Sequence, residues 1–385
     1  MRPVILDCTE LYQNPVRTGI QRVVREIIRH WPGDGPELHV ARFVPRSEDG
    51  LSSISAAAVD LLTDNNKAAV DLRPAELATM VHETSERGSR RALPADAHIL
   101  LPEVFFEGAR SAFYVWLAQS RPNDISAICY DFIPFLRPDL FGLRSTKNLM
   151  PYIRALRACS RLAHISDKTR REYADFIARS PDPDASVVLP LGTNGVAIER
   201  QVWRPNRTEF VTIGSIDGRK RQEVTAAAFR LLRERGHEVT LTVIGRAFDL
   251  HNISWLRDMA ALPGFCWIED ASDALIADAL RRARATIYVS GAEGYGLPPV
   301  ESLWAGVPVI APDNMPILAA LEPLGQIRLA EVTPETVAEA MLQVTEVPIA
   351  ERLWTEAARL RLPTWRDFAR ETAEWVSAGP SLRSA

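Results

Sequence analysis

Apolar, β-branched runs alternate along the chain with amphipathic stretches of helical spacing, the pattern of layered α/β domains. Residues 3–8 read as the first strand. A polar loop through Arg17, Thr18 and Gly19 leads into a helix in which Ile20, Val23, Val24, Ile27, Ile28 and Trp31 recur on one face, and Pro32 and Gly33 stop it. Residues 39–44, 98–101 and 126–130 are the further strands of this half. Residues 47–97 are rich in Ala and Asp and have no period that assigns them elements.

Residues 189–206 carry turn residues at a density that suits an interdomain connection. A second α/β series follows. Residues 209–213, 238–244, 266–268, 285–289 and 307–310 read as strands, and 222–235, 273–283 and 298–305 as helices. The expected organisation is a first domain over 1–200, a second over 201–361 and a closing helix over 362–380.

Composition narrows the function classes. The chain has 385 residues, 46% hydrophobic and 24% charged, with a formal net charge of -4. That balance does not suit a nucleic-acid binder. No apolar run approaches the ~20 residues that span a bilayer, and the strand-like start lacks a basic-then-apolar leader, so a cytoplasmic location is expected. Cys8, Cys129, Cys159 and Cys266 form no CxxC pair and read as buried free thiols. Charge is uneven, however. Residues 144–171 hold Arg144, Lys147, Arg154, Arg157, Arg161, Lys168, Arg170 and Arg171 against one acid, Asp167. With Arg22, Arg25, Arg29 and His30 on the first helix, they raise the expectation of peripheral contact with an anionic membrane. No metal site is expected. The histidines show no ligand spacing, His82-Glu83 has no second histidine at the zinc-protease interval, and Asp182-Pro-Asp184 lies in a proline loop.

Residues 286–310 hold the densest chemistry. A strand leads through Glu293 into Gly294-Tyr295-Gly296, and Leu297-Pro298-Pro299 then starts a helix bearing Glu301. Proline is tolerated in a helix's first turn, and a strand–glycine–helix turn aims amides and the positive helix end at an anion. The two carboxylates are acceptors for sugar hydroxyls. Two solvated glutamates on a common turn remain the alternative for the shape alone. Arg219 and Lys220 also fall where a strand's glycine turn enters a helix, a place where cations are disfavoured unless an anion is near.

The segment EGYGLPPVE, residues 293–301, resembles the signature of retaining glycosyltransferase family 4. That resemblance implies two facing Rossmann-like domains of the GT-B type, with the closing helix crossing back to the first. It extends to TGIQR at 18–22, to CYDFIP at 129–134, to residues 210–220 and to 362–369. It implies that Glu293 meets the transferred sugar and Glu301 the ribose. The backbone of Gly294, Tyr295, Gly296 and Leu297 would meet the sugar and diphosphate, and the Gly19 loop, Arg219 and Lys220 the phosphates. Two positions depart from the pattern: Ser215 stands where many members carry arginine, and Tyr130 where many carry histidine. Asp131 is then the better acceptor-side candidate, beside Glu103 and Tyr130, and Asp131, Lys220 and Glu293 are the catalytic candidates. The activity implied is metal-independent, cofactor-free transfer of a hexose to a hydroxyl of a surface polysaccharide or lipopolysaccharide glycan, free or lipid-linked. Mannose from GDP-mannose is the first choice of donor. A nucleotide-sugar epimerase and a silent nucleotide-sugar-binding subunit are the rival expectations.

Overall fold

A computed structural model describes the chain except for residues 17, 48–49, 64–71, 90, 179–185, 248–252 and 379–385. Arg17 and Asp182-Pro-Asp184 therefore lie outside the described residues. The chain divides into two units, residues 1–192 with 363–385, and residues 193–362.

Among the described residues, seven strands form the sheet of the first unit: β1 (Val4–Asp7), β2 (Leu38–Phe43), β3 (Leu51–Ser53), β4 (His98–Leu101), β5 (Ile125–Cys129), β6 (Arg161–His164) and β7 (Ser186–Val188). Their order is β3-β2-β1-β4-β5-β6-β7, with β3 antiparallel to β2 and the other pairs parallel. β1, β4 and β5 are buried along their whole length. Helices cover both faces of such a sheet, which is why these strands read as continuous apolar runs. The unplaced stretch contains β3 and two helices, Ala56–Leu62 and Pro74–Arg87.

Among the described residues, six strands form the sheet of the second unit: β8 (Glu209–Ile213), β9 (Thr240–Ile244), β10 (Phe265–Ile268), β11 (Ala283–Ile287), β12 (Val309–Pro312) and β13 (Gln326–Leu329). All are parallel, in the order β10-β9-β8-β11-β12-β13. This is the doubly wound order, which reverses direction between β8 and β11. Phe210, Phe229, Leu241, Val243, Ile287 and Met341 are among its core residues.

The last helix, Trp365–Ser377, belongs to the first unit and packs on the helix Gly19–His30. Gly192 permits this approach, because a β-carbon there would lie 2.4 Å from the Trp365 backbone nitrogen. One cysteine departs from expectation. Cys266 is exposed on β10, an edge strand open on one side, whereas Cys8 and Cys129 are buried and Cys159 half-buried.

Candidate functional site

In the second unit the loops after β8 and β11 meet at the point where strand order reverses, the place where open α/β sheets bind ligands. Asp217 organises the first loop. Its Oδ1 accepts the backbone N–H of Arg219 at 3.0 Å and of Lys220 at 3.2 Å, while Ser215 donates its hydroxyl to Oδ2 at 2.9 Å. Gln222 ties the Ser215 carbonyl at 2.7 Å, and Arg221 takes a left-handed conformation just before the helix Gln222–Glu234. The Gly291 N–H donates to the Arg219 carbonyl at 2.8 Å, joining the two loops.

Glu293 closes the arrangement. Arg219 lies 3.1 Å from one carboxylate oxygen, and Lys220 pairs with the other. Arg219 also donates to the Ala292 carbonyl at 3.1 Å. All three side chains are largely buried. Burial pushes the Glu293 carboxyl up, yet Lys220 and then Arg219 outweigh it and hold the group below the ordinary carboxylate range. Glu293 is therefore an anion whose two oxygens engage both cations.

The second loop turns on Gly296, whose φ of 103° is left-handed, with a β-carbon position 2.9 Å from Met315 Sδ. A side chain there meets both strain and a clash. The helix Leu297–Trp304 then starts with its prolines in the first turn. Tyr295 is buried, and its carbonyl accepts the Ile317 N–H at 3.0 Å. Glu301 is buried one turn along. The neighbouring Tyr288 hydroxyl is raised by burial first and by the charge of Glu301 second.

The first unit sorts its candidates differently. Gly19 is exposed at the start of the helix Gly19–His30, which Thr18 caps by accepting the Gln21 N–H at 3.4 Å. Asp131 is partly buried and accepts the Ile133 N–H at 3.1 Å, a turn that starts the short helix Ile133–Leu136. Two acceptor-side candidates are buried. Glu103 is only 1% exposed. Its oxygens accept the backbone N–H groups of Glu10 and Leu11, both at 2.8 Å, and bind Arg110 at 3.0 Å, so it braces the helix Thr9–Gln13. Tyr130 is buried and donates its hydroxyl to the Pro102 carbonyl at 2.8 Å. The basic face of the first helix is engaged as well. Arg25 is buried and donates to the carbonyls of Leu62, Val16 and Pro15, while Arg29 and His30 pair with Glu26.

Beside Glu103, the Glu10 carboxyl is pushed up to about 8, by burial first and then by Glu107 and Glu103. The folded chain thus keeps a proton that the unfolded chain releases near 4.5. Stability falls as pH rises between these values, because the folded state holds more protons there. Melting temperature measured across that window should decline, and Glu10→Gln should flatten part of the slope. An unchanged slope in the variant would refute the assignment.

Sequence reading missed Asp217 and Ser290. Ser290 hydrogen-bonds Glu293. The signal for Asp217 was present as S-x-D-G-R-K at 215–220, since aspartate before glycine favours a side-chain-to-backbone turn. Among the described residues, no group of three or more His, Cys, Asp or Glu is placed to hold a metal ion.

Comparison with known proteins agrees with this architecture. Residues 196–361, which lie in the second unit, match the family model described as Glycosyl transferases group 1. The chain is 28% identical over 335 residues to the Escherichia coli serotype-specific mannosyltransferase WbdA, a match covering 81% of this chain and 38% of the relative. The chain thus spans well under half of that protein. The fold matches Anabaena Alr3699/HepE, solved in complex with UDP and glucose, with a TM-score of 0.62 and 12% identity over 98% of this chain and 100% of that one. It also matches WaaG, a glycosyltransferase involved in lipopolysaccharide biosynthesis, with a TM-score of 0.61 and 14% identity over the same shares. The two units therefore have the GT-B fold.

Proposed function

We propose that the chain is a retaining glycosyltransferase that moves a hexose from a nucleoside diphosphate sugar to a hydroxyl of a surface polysaccharide or lipopolysaccharide glycan. One observation carries the reading. Arg219, Lys220 and Glu293 form a single cluster at the strand-order reversal of the unit that matches the glycosyl transferases group 1 model.

Departure of a diphosphate gathers negative charge on its oxygens, and positioned cations stabilise that charge best away from water. Arg219 and Lys220 are such cations, and Asp217 sets their backbone. On this reading the diphosphate takes over the cations that Glu293 engages, and Glu293 turns its oxygens to hydroxyls of the transferred sugar. Glu301 holds the ribose, and the backbone of Gly294, Tyr295, Gly296 and Leu297 lies along the sugar and diphosphate. Gly19 and Asp131 of the first unit remain the candidates for a phosphate contact and for the acceptor hydroxyl. No covalent nucleophile and no metal is required: the acceptor attacks from the side the diphosphate leaves, and a leaving phosphate oxygen takes its proton. Mannose from GDP-mannose is the proposed donor, supported by the likeness to WbdA.

A thermal-shift panel of GDP, UDP, dTDP and ADP, with their sugars, tests the donor. A ligand at a hundred times its Kd stabilises by about 2.7 kcal/mol, so the GDP compounds should give the largest rise. Incubating GDP-mannose with acceptor glycan should then yield a product that keeps the donor's anomeric configuration by NMR. No shift with any nucleotide would overturn the reading, and sugar isomerisation without acceptor would point to an epimerase instead.

A further inference from the structure

The loop between β2 and β3 and the start of the helix Gly108–Ser120 border a cavity of about 540 Å³ in the first unit. Buried Phe43 and half-buried Phe113 line it together with exposed Arg46 and Ser47. The loop closes on itself: the Val44 N–H donates to the Gly50 carbonyl at 2.9 Å, and the Gly50 N–H to the Ser47 carbonyl at 3.3 Å. Gly50 has a φ of 67°, and a β-carbon there would lie 2.1 Å from the Phe113 ring, so only glycine lets that ring lie against the loop. Arg46 is left-handed as well, with a φ of 64°, a conformation that costs a long side chain free energy. Among the described residues Arg46 has no ion-pair partner, and no acid lines the cavity.

The aromatic surface continues out of the cavity. Phe43, Phe113 and Trp116 form a row, with ring centroids 5.5 Å and then 6.1 Å apart, and Trp116 is 58% exposed. Its exposed neighbours one and two turns back on the helix, Ala112 and Ala109, are too small to cover the ring. A row of rings that leads from the core to solvent beside a cation without a counterion marks a binding surface rather than a solvated helix face.

We propose that Phe113, Trp116, Arg46 and Ser47 hold the sugar chain of a long acceptor at a distance from its reacting end, so that the site selects acceptors by length. The proposal rests on the glycan-transfer reading above. A pyranose presents an apolar C–H face and a girdle of hydroxyls, and open rings beside a few hydrogen-bonding groups meet both at once. Arg46 donates to sugar oxygens. The Ser47 hydroxyl, which donates to the Val44 carbonyl at 3.1 Å, keeps its lone pairs for a sugar O–H. Topology supplies the distance. β2 stands three strands from β5, which ends just before Asp131, and spacings of ~4.8 Å put the two places roughly 14 Å apart across the sheet. One sugar does not span that gap, and a chain of several does. A second copy of this chain would supply rings but no counterion for Arg46 from the same cavity, whereas a sugar chain supplies oxygens along its whole length.

Calorimetric titration of the full chain without nucleotide tests this, with pentasaccharides of mannose, glucose and galactose and with the three free sugars. At least one pentasaccharide should bind, and its free sugar far more weakly. Trp116→Ala should weaken that binding by about tenfold, the scale of one lost stacking ring, and Arg46→Ala should weaken it too, both at unchanged melting temperature. Phe106→Ala removes a 55% exposed ring outside the cavity and should leave the affinity as it was. The proposal is overturned if no pentasaccharide binds, if Trp116→Ala and Arg46→Ala bind as the unaltered chain does, or if Phe106→Ala loses as much as they do. A concentration-dependent dimer that Trp116→Ala dissolves, without sugar binding, overturns it as well. A chain that binds a pentasaccharide but shows no nucleotide-induced thermal shift would sink the transferase reading and keep the sugar site. A chain that shows the shift but binds no pentasaccharide would do the reverse.

Discussion

Glu293→Ala should abolish most transfer yet leave nucleoside diphosphate binding intact or tighter. The transfer loss is expected at about a hundred- to a thousand-fold in kcat, the scale for removing one positioned polar group from a reacting centre. The binding result follows from the pairing of Glu293 with Arg219 at 3.1 Å and with Lys220. A diphosphate entering the unaltered site must draw both cations from a buried carboxylate. In the variant Lys220 loses its resident counterion and Arg219 keeps only Asp217, at 3.7 Å, so the diphosphate meets weaker competition. Calorimetric titration with the free nucleoside diphosphate should show equal or higher affinity, and the ligand-induced rise in melting temperature should grow. Lys220→Ala should instead lose both binding and transfer. If Glu293→Ala weakens diphosphate binding in step with transfer, the carboxylate acts by holding the loops in place, and its role toward the sugar fails.

The contrast with what the sequence revealed is instructive. The strands and the helix Gly19–His30 were legible because their apolar residues repeat within a few positions, and local spacing suffices to read them. EGYGLPPVE was legible for the same reason, since its glycine turn, prolines and glutamates are contiguous. The pairing of Glu293 with Arg219 and Lys220 was not, because it depends on β8 lying beside β11. The helix Pro138–Leu156 was hidden by Pro151, which removes a backbone donor and ordinarily ends a helix. The helix Pro74–Arg87 was hidden by the thinness of its apolar face, which buries only Leu77, Val81 and Ser85. The burial of Glu103 and Arg25 was not legible for a deeper reason. A charged residue carries no mark of whether it points inward, and its burial is set by partners far along the chain, such as Arg110 for Glu103 and the Leu62 carbonyl for Arg25.

The Arg110 network leads to the largest expected effect on stability. Arg110 is 0% exposed and joins two buried carboxylates, Asp7 at 2.8 Å and Glu103 at 3.0 Å. Asp7 also accepts the Tyr114 hydroxyl and the Thr9 N–H. Arg110→Met keeps most of the volume but strands both carboxylates without a cation. Breaking a buried pair in this way costs roughly 3–5 kcal/mol, and for a unit of this size that lowers melting by about 10 °C. Calorimetry should assign the loss to the first unit, while the second keeps its response to nucleotide. Pairing Arg110→Met with Glu103→Gln should recover part of the loss, because the residues share one network and their effects are not additive. The same pair of variants tests whether Glu103 meets the acceptor. An acceptor-contacting carboxylate, once replaced by glutamine, would lose transfer at full stability. A brace for the helix Thr9–Gln13 loses stability first, and activity only as the first unit loosens.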